Sequence, residues 1–175
     1  MDEIEALRIE PIDKKHNRKA FTCKKKPLAE YLQQHARQND ENNIAKAFVA
    51  VDEKDTVHGY YTLSTTTIEF EEFPEKLSKG FPKYPIPAVL IGKLAVDENN
   101  EGQGLGSRLL IDALQRVLTA SEEVAIKVVI VDAIDEQAKA YYLRFGFIEL
   151  PDQDLKLFLP IETISQLFTA QGNAD

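Results

Sequence analysis

The stretch Gly102-Gln103-Gly104-Leu105-Gly106-Ser107 decides the reading of this chain. An apolar run from Ala88 to Val96 precedes it, and an amphipathic segment follows it to about Leu118. Strand, glycine turn and helix in that order put a row of backbone N–H groups at a helix N-terminus, a site suited to phosphate. Glycines belong there because the backbone must approach its ligand without Cβ atoms in the way.

Working outward, the segments alternate. Leu7 to Ile12 reads as a first strand and Pro27 to about Asn39 as one helix, with Leu28, Tyr31, Leu32, His35 and Ala36 on its apolar face. Lys46 to Val51 and Val57 to Ser64, the latter continuing toward Phe70, read as a hairpin around Asp52 to Asp55. Four prolines between Pro74 and Pro87 mark a loop with one short helix. The nearly unbroken apolar run Ala88–Val96 suits a strand buried on both faces, and Gly92 within it predicts a bulge or a close backbone approach. After the glycine turn, Leu105, Leu109, Leu110, Ala113, Leu114, Val117 and Leu118 share one helix face. Ala125 to Val131 is a β-branched strand, Ile134 to Phe145 a helix stopped by Gly146, and Phe147–Leu150 and Leu155–Leu159 are closing strands. A short helix is expected next, with the last ten residues poorly ordered. The expected organisation is one domain over 1–170 and a disordered tail over 171–175.

Composition narrows the class. The 175 residues are enough for one hydrophobic core. A single cysteine, Cys23, excludes a disulfide framework and a cysteine zinc site, and no metal site is expected. The N-terminus is charged from Asp2 onward, and no apolar run reaches transmembrane length, which points to a reducing cytoplasmic setting. The net charge of −8 argues against bulk electrostatic coating of nucleic acid. It is uneven, however: residues 1–50 carry 10 Lys/Arg against 8 Asp/Glu, whereas residues 93–175 carry 7 against 14. Lys14, Lys15, Arg18, Lys19, Lys24, Lys25 and Lys26 cluster without an acid among them, either as a solvated face or as a polyanion contact.

Three phosphate binders compete for the turn. A P-loop requires Gly-Lys-Ser/Thr, and the lysine is missing. A dinucleotide fingerprint beginning at Gly102 requires a glycine where Ser107 stands. The pyrophosphate turn of a coenzyme A-dependent acyltransferase fits both the glycines and the order of elements.

The runs Lys93-Leu94-Ala95-Val96-Asp97, Gly102 to Gly106, and Ala140-Tyr141-Tyr142-Leu143-Arg144-Phe145-Gly146-Phe147 resemble the GCN5-related N-acetyltransferase (GNAT) superfamily. Within it, Phe21-Thr22-Cys23, Leu28 to Leu32, Gly59 to Ser64, Tyr84 to Ala88 and Val131-Asp132-Ala133 resemble the acetyltransferase toxins of bacterial toxin–antitoxin modules, over roughly residues 7 to 165. The resemblance implies an α/β (α+β) GNAT fold: a mixed, mostly antiparallel twisted sheet flanked by helices, with strands 4 and 5 splayed.

It also assigns the parts. Backbone groups of Leu94, Ala95 and Val96 would pair with the pantetheine arm of acetyl-CoA. The N–H groups of Gly102, Gln103, Gly104, Leu105, Gly106 and Ser107 would hold the pyrophosphate. Tyr142 would serve the departing thiolate, since a phenol with a pKa near 10 stays protonated at neutral pH. Tyr141, about 100° around the helix, is the natural control. One departure stands out: Glu101 occupies a position where the superfamily keeps Gln or Arg.

No general base is evident, and His35 on its apolar face is expected to be packed. An α-amine with a pKa of about 7.7–8.0 is already partly neutral, so direct attack suffices and Cys23 need not carry an acyl group. The resemblance implies the α-amine of aminoacyl-tRNA as acceptor, with Lys24, Lys25, Lys26, Arg37 and Lys93 as its basic contacts, a ribbon-helix-helix antitoxin as partner, and a homodimer. An isoelectric point near 5.0 favours instead a small amine or a protein N-terminus. A coenzyme-binding module without turnover is the reading outside enzymes.

Overall fold

The computed structural model describes residues 2–172, the side chain of Gln171 apart. Its strands are β1 (Arg8–Pro11), β2 (Lys46–Val51), β3 (Val57–Ile68), β4 (Ile86–Val96), β5 (Val128–Asp132), β6 (Ile148–Glu149) and β7 (Lys156–Pro160). The helices are α1 (Lys26–Gln34), α2 (Ala36–Glu41), α3 (Glu75–Ser78), α4 (Leu105–Ala120), α5 (Glu136–Phe145) and α6 (Ile161–Gly172). The strands form one seven-stranded sheet in the order β1-β2-β3-β4-β5-β7-β6. β4 and β5 pair in parallel, while β1–β2, β2–β3, β5–β7 and β6–β7 are antiparallel. This is the α/β GNAT arrangement expected from the resemblance.

The β4–β5 ladder covers only the first part of β4. Its pairs run from Ala88↔Val128 to Ile91↔Val131. β4 then continues through Gly92 to Val96 with no β5 partner in that register, so its ladder ends one residue before the glycine. The β4 backbone beyond Ile91 takes no ladder bond from β5, so its groups on that side need partners from elsewhere.

The chain divides into two compact units. The first comprises residues 1–64 and 92–113. Its core joins Phe21, Leu32, Ala36, Ala47, Val49, Val57, Tyr60 and Ala95. Tyr60 is fully buried, and its hydroxyl donates to the Leu28 carbonyl at 2.6 Å, which satisfies a polar group that burial would otherwise penalise. Gly59 is required by packing: a Cβ there would meet Leu109 Cδ1 at 2.9 Å and Ala95 O at 3.2 Å.

The second unit comprises residues 65–91 and 114–175. Ile68, Phe73, Ile86, Ala88, Val128, Ile130, Leu150 and Phe158 form its core. The β-branched residues of β5 are buried at Val128 through Val131, as a central strand demands. Asp135 caps α5 by accepting from Ala138 N–H at 2.9 Å, and Gly146 ends that helix at φ +114°.

Three expectations change. The predicted single helix from Pro27 to Asn39 is two helices that break at His35 (φ −125°, ψ −30°), and His35 is exposed instead of packed. The apolar face survives the break, with Leu32 and Ala36 both buried. At the C-terminus α6 continues to Gly172 instead of ending before the last ten residues, with Ile164 buried in its first turn and Phe168 half-buried one turn on; residues 173–175 of the expected tail lie outside the described residues. Among the described residues, no helix is long and apolar enough to cross a membrane.

Candidate active site

In the first unit, β4 leads through Asp97 and a 3-10 turn at Glu98–Asn100 into the glycine stretch. Asp97 is 5% exposed, and its carboxylate accepts from Asn99 N–H, Asn99 Nδ2 and Thr22 N–H. A buried carboxylate with several donors holds the chain firmly, since each charge-assisted bond is worth about twice a neutral one. Asp97 was quoted in the sequence motif but not assigned this role; an acid followed by Asn at a strand end is the signal of an Asx turn.

Beyond it, Gly102 (φ +74°) and Gly104 (φ +86°) adopt left-handed conformations, and a Cβ on either would meet nothing within 4 Å. The turn therefore keeps its glycines for backbone conformation and leaves open space outside them. Leu105 starts α4, with Arg108 N–H donating to Gly104 O at 3.1 Å as an early helical bond. The N–H groups of a helix's first turn have no acceptor within the helix, and the macrodipole favours an anion there. Gly106 sits beside Val96, its Cβ position 3.8 Å from Val96 Cγ2, so the turn and the end of β4 adjoin. Leu94 and Val96 are half-buried and Ala95 is buried. Leu94 to Val96, which lie beyond the end of the β4–β5 ladder, and Gly102 to Ser107 thus fall in one unit.

Tyr142 is the one buried residue of α5, at 7% exposure. Its ring packs edge-on against Phe147 (5.4 Å between centroids) and against Tyr141 (5.5 Å). Burial raises the phenol's pKa above its ordinary value, with a smaller contribution from Tyr141. Such a hydroxyl stays a donor at any physiological pH. Tyr141 is half-buried, as its neighbouring position on the helix requires.

The basic candidates are also in the first unit. Lys24 is exposed and pairs with Glu101 (Nζ to Oε2, 3.0 Å). Lys25 precedes α1 and Lys26 is its first residue. Arg37 pairs with Glu41 at 3.3 Å, and its charge, after burial, is a cause of the lowered pKa of Arg18. Arg18 and Arg37 are therefore close enough to repel, which makes them one cationic patch; the sequence cluster contained Arg18 without marking it. Lys93 lies over the Tyr31 ring, 4.1 Å from its centroid, a cation–π contact.

Other reactive groups are already engaged. Cys23 Sγ donates to the Lys25 carbonyl at 3.1 Å, and burial pushes the thiol up, which disfavours the thiolate needed of an acyl carrier. His16 is buried, accepting from Asp13 N–H at Nδ1 and bonding Glu10 at Nε2 (2.7 Å). Glu10, His16 and Asp55 bring metal-ligating atoms within 4.8 Å of one another, but Lys15 and Arg8 already neutralise the two carboxylates. His58 bonds Asp52 at 2.8 Å and Asn100 at 2.9 Å, so both ring nitrogens are used.

Comparison with known proteins identifies the family. The acetyltransferase (GNAT) domain family matches residues 43–149. A probable toxin, TacT, of Sinorhizobium fredii is 32% identical over 169 residues, which cover 91% of this chain and 93% of that protein. AtaT complexed with acetyl-methionyl-tRNAfMet is 33% identical with a TM-score of 0.87, over 93% of this chain and 99% of that one. A mutant of the AtaT toxin bound to the C-terminus of the antitoxin AtaR and acetyl-CoA is 30% identical with a TM-score of 0.82, over 94% and 99%. With its glycine turn inside the matched region and more than half its length matched, the chain belongs to the acetyltransferase (GNAT) domain family and is an acyltransferase.

Proposed function

We propose that this chain transfers the acetyl group of acetyl-CoA to the α-amine of aminoacyl-tRNA, as the toxin of a toxin–antitoxin pair acting in the cytoplasm. The observation that carries the reading is the strand–turn–helix of the first unit: β4 outruns its β5 ladder and ends in a glycine turn at the head of α4. That backbone suits an extended pantetheine arm followed by pyrophosphate. The acceptor rests on AtaT, solved with acetyl-methionyl-tRNAfMet, and the antitoxin partner on AtaT solved with AtaR. The whole of residues 1–170 serves as one catalytic domain in this reading.

The steps follow from the groups present. The neutral amine attacks the thioester carbonyl carbon, forming the C–N bond as the C–S bond breaks. The electron pair leaves on sulfur, and the Tyr142 hydroxyl donates to it. A thiol pKa of about 8.5 lies below that of a phenol. Tyr142 therefore acts by hydrogen-bonding the developing thiolate and keeps its own proton, while the coenzyme thiolate takes up a proton from water. The surplus amine proton passes to water. Direct attack needs no acyl-enzyme, consistent with the raised Cys23 thiol.

The test uses purified protein, acetyl-CoA and charged tRNA. Tyr142→Phe is expected to lower kcat about 10²–10³-fold, the range for a lost hydrogen-bond donor to a developing anion, while Tyr141→Phe retains activity. Equal rates in the two variants would remove Tyr142 from the chemistry. A small-amine acceptor is favoured by the acidic balance and by the engagement of Lys24, Arg37 and Lys93 in contacts within the chain. Salt separates the acceptors: tRNA acetylation should fall steeply between 50 and 200 mM salt, roughly as counterion release dictates, and acetylation of a small amine should not.

A further inference from the structure

Glu101 places a carboxylate at the entrance of the glycine turn, and the structure sets a lysine against it. Lys24 Nζ lies 3.0 Å from Glu101 Oε2. The contact is not an encounter of two loose loops. Thr22 N–H donates to Asp97 Oδ2 at 3.0 Å, and Glu98 N–H donates back to the Thr22 carbonyl at 2.9 Å. On the far side of Lys24, the Lys25 carbonyl accepts from Cys23 Sγ and from Leu28 N–H at the start of α1. The segment bearing Lys24 is thus stitched to the segment bearing Glu101 on one side and to α1 on the other. Its cation is delivered to the lip of the turn.

We propose that Lys24 is a positioning residue for the coenzyme, cancelling the charge of Glu101 where the pyrophosphate enters. This rests on reading Gly102 to Ser107 as the pyrophosphate turn. A lone carboxylate beside two phosphate charges repels them, whereas the ion pair presents no net charge and keeps the ammonium exposed. The pair replaces, with two residues from distant parts of the chain, the single neutral or basic side chain that the superfamily keeps at this position. Assigning Lys24 to the coenzyme also removes it from the tRNA contacts expected of the basic run.

Charge arithmetic sets the outcomes. Lys24→Ala leaves a net negative lip and is expected to raise the Kd for acetyl-CoA about fivefold, the scale of an exposed charge interaction. Lys24→Arg should stay within twofold of the wild type, and Glu101→Gln should bind more tightly. In the double variant Lys24→Ala/Glu101→Gln the lip is neutral again, and affinity should return to within twofold. Across the set, the melting temperature without ligand should not move, because the pair is exposed at both ends (74% and 40%). Acetyl-dephospho-CoA should show the same fold changes, since it keeps the pyrophosphate. A Lys24→Ala protein with wild-type affinity overturns the proposal. So does a double variant as weak as Lys24→Ala, which would mean that Lys24 acts without Glu101. An effect seen only with the 3′-phosphorylated donor would place the ammonium at that phosphate and refute the pyrophosphate assignment. Wild-type protein that fails to bind acetyl-CoA defeats the underlying coenzyme reading; wild-type binding with no Lys24 effect defeats this inference alone.

Discussion

Gly59→Ala asks how tightly the glycine turn before α4 is located. The Cβ would lie 2.9 Å from Leu109 Cδ1, 3.2 Å from Leu105 Cδ2 and 3.2 Å from Ala95 O. The Leu109 methyl can yield by a small rotation. The Ala95 carbonyl is backbone of β4 and cannot withdraw without moving the strand, and Leu105 is the first residue of α4. Relief therefore pushes the head of α4 outward by a few tenths of an ångström. Overpacking of this kind costs about 1–3 kcal/mol, and the reduced freedom of the unfolded chain returns about 0.4–1 kcal/mol. The net, about 1–2 kcal/mol, corresponds to a fall in Tm of roughly 2–8 °C for a chain of this size. The same displacement moves the first-turn N–H groups away from the phosphate, so acetyl-CoA affinity should fall severalfold as well. Thermal melting and equilibrium binding on one protein read both effects. Gly102→Ala is the contrast: it meets nothing within 4 Å and carries only the strain of φ +74°, about 1 kcal/mol. A Gly59→Ala protein that melts and binds like the wild type would refute the reasoning that β3 packing sets the turn.

Two further outcomes are expected. Burial alone would lower the pKa of His58, but its bonds to Asp52 and Asn100 outweigh that and raise it. The stabilisation is therefore complete below the unfolded value of about 6.5 and is lost as pH rises through the higher folded value. Tm should decline more steeply from pH 6.5 to 8 in the wild type than in His58→Gln, and parallel profiles would exclude the linkage. Arg108 donates to the Ile4 and Leu7 carbonyls, holding a turn whose two apolar side chains are buried. Arg108→Ala should cost about 1.5–3 kcal/mol, the range for hydrogen bonds from a charged donor. It should also speed hydrogen exchange at the Ala6 and Leu7 amides, which unchanged protection there would contradict.

Much of the candidate site was legible because backbone chemistry leaves marks in residue type. Only glycine is at ease at φ +74° and +86°, so Gly102 and Gly104 announce their turn whatever surrounds them. The same holds for Gly146 ending α5 and for the wide apolar face of α4. The break at His35 was hidden because the apolar spacing of Leu32 and Ala36 continues through it. Periodicity records which side chains are buried, and here two short helices share one face. α6 runs further than expected although its residues after Ile164 are exposed apart from the half-buried Phe168, so burial leaves little mark in that part of the sequence.

The linear order of residues by itself determined most of the sheet's strands, the glycine turn before α4 and the family. These depend on local conformation and on period, both of which are read within a few residues. Partnerships across long separations were decided only by the tertiary structure. Lys24 meets Glu101, Thr22 meets Asp97 and Gly59 meets Ala95 because the sheet and its loops fold them together. Charge pairing and close packing act through space and leave no periodic trace along the chain. In the linear reading Glu101 was a lone carboxylate at odds with its neighbours; in the fold it is half of an ion pair.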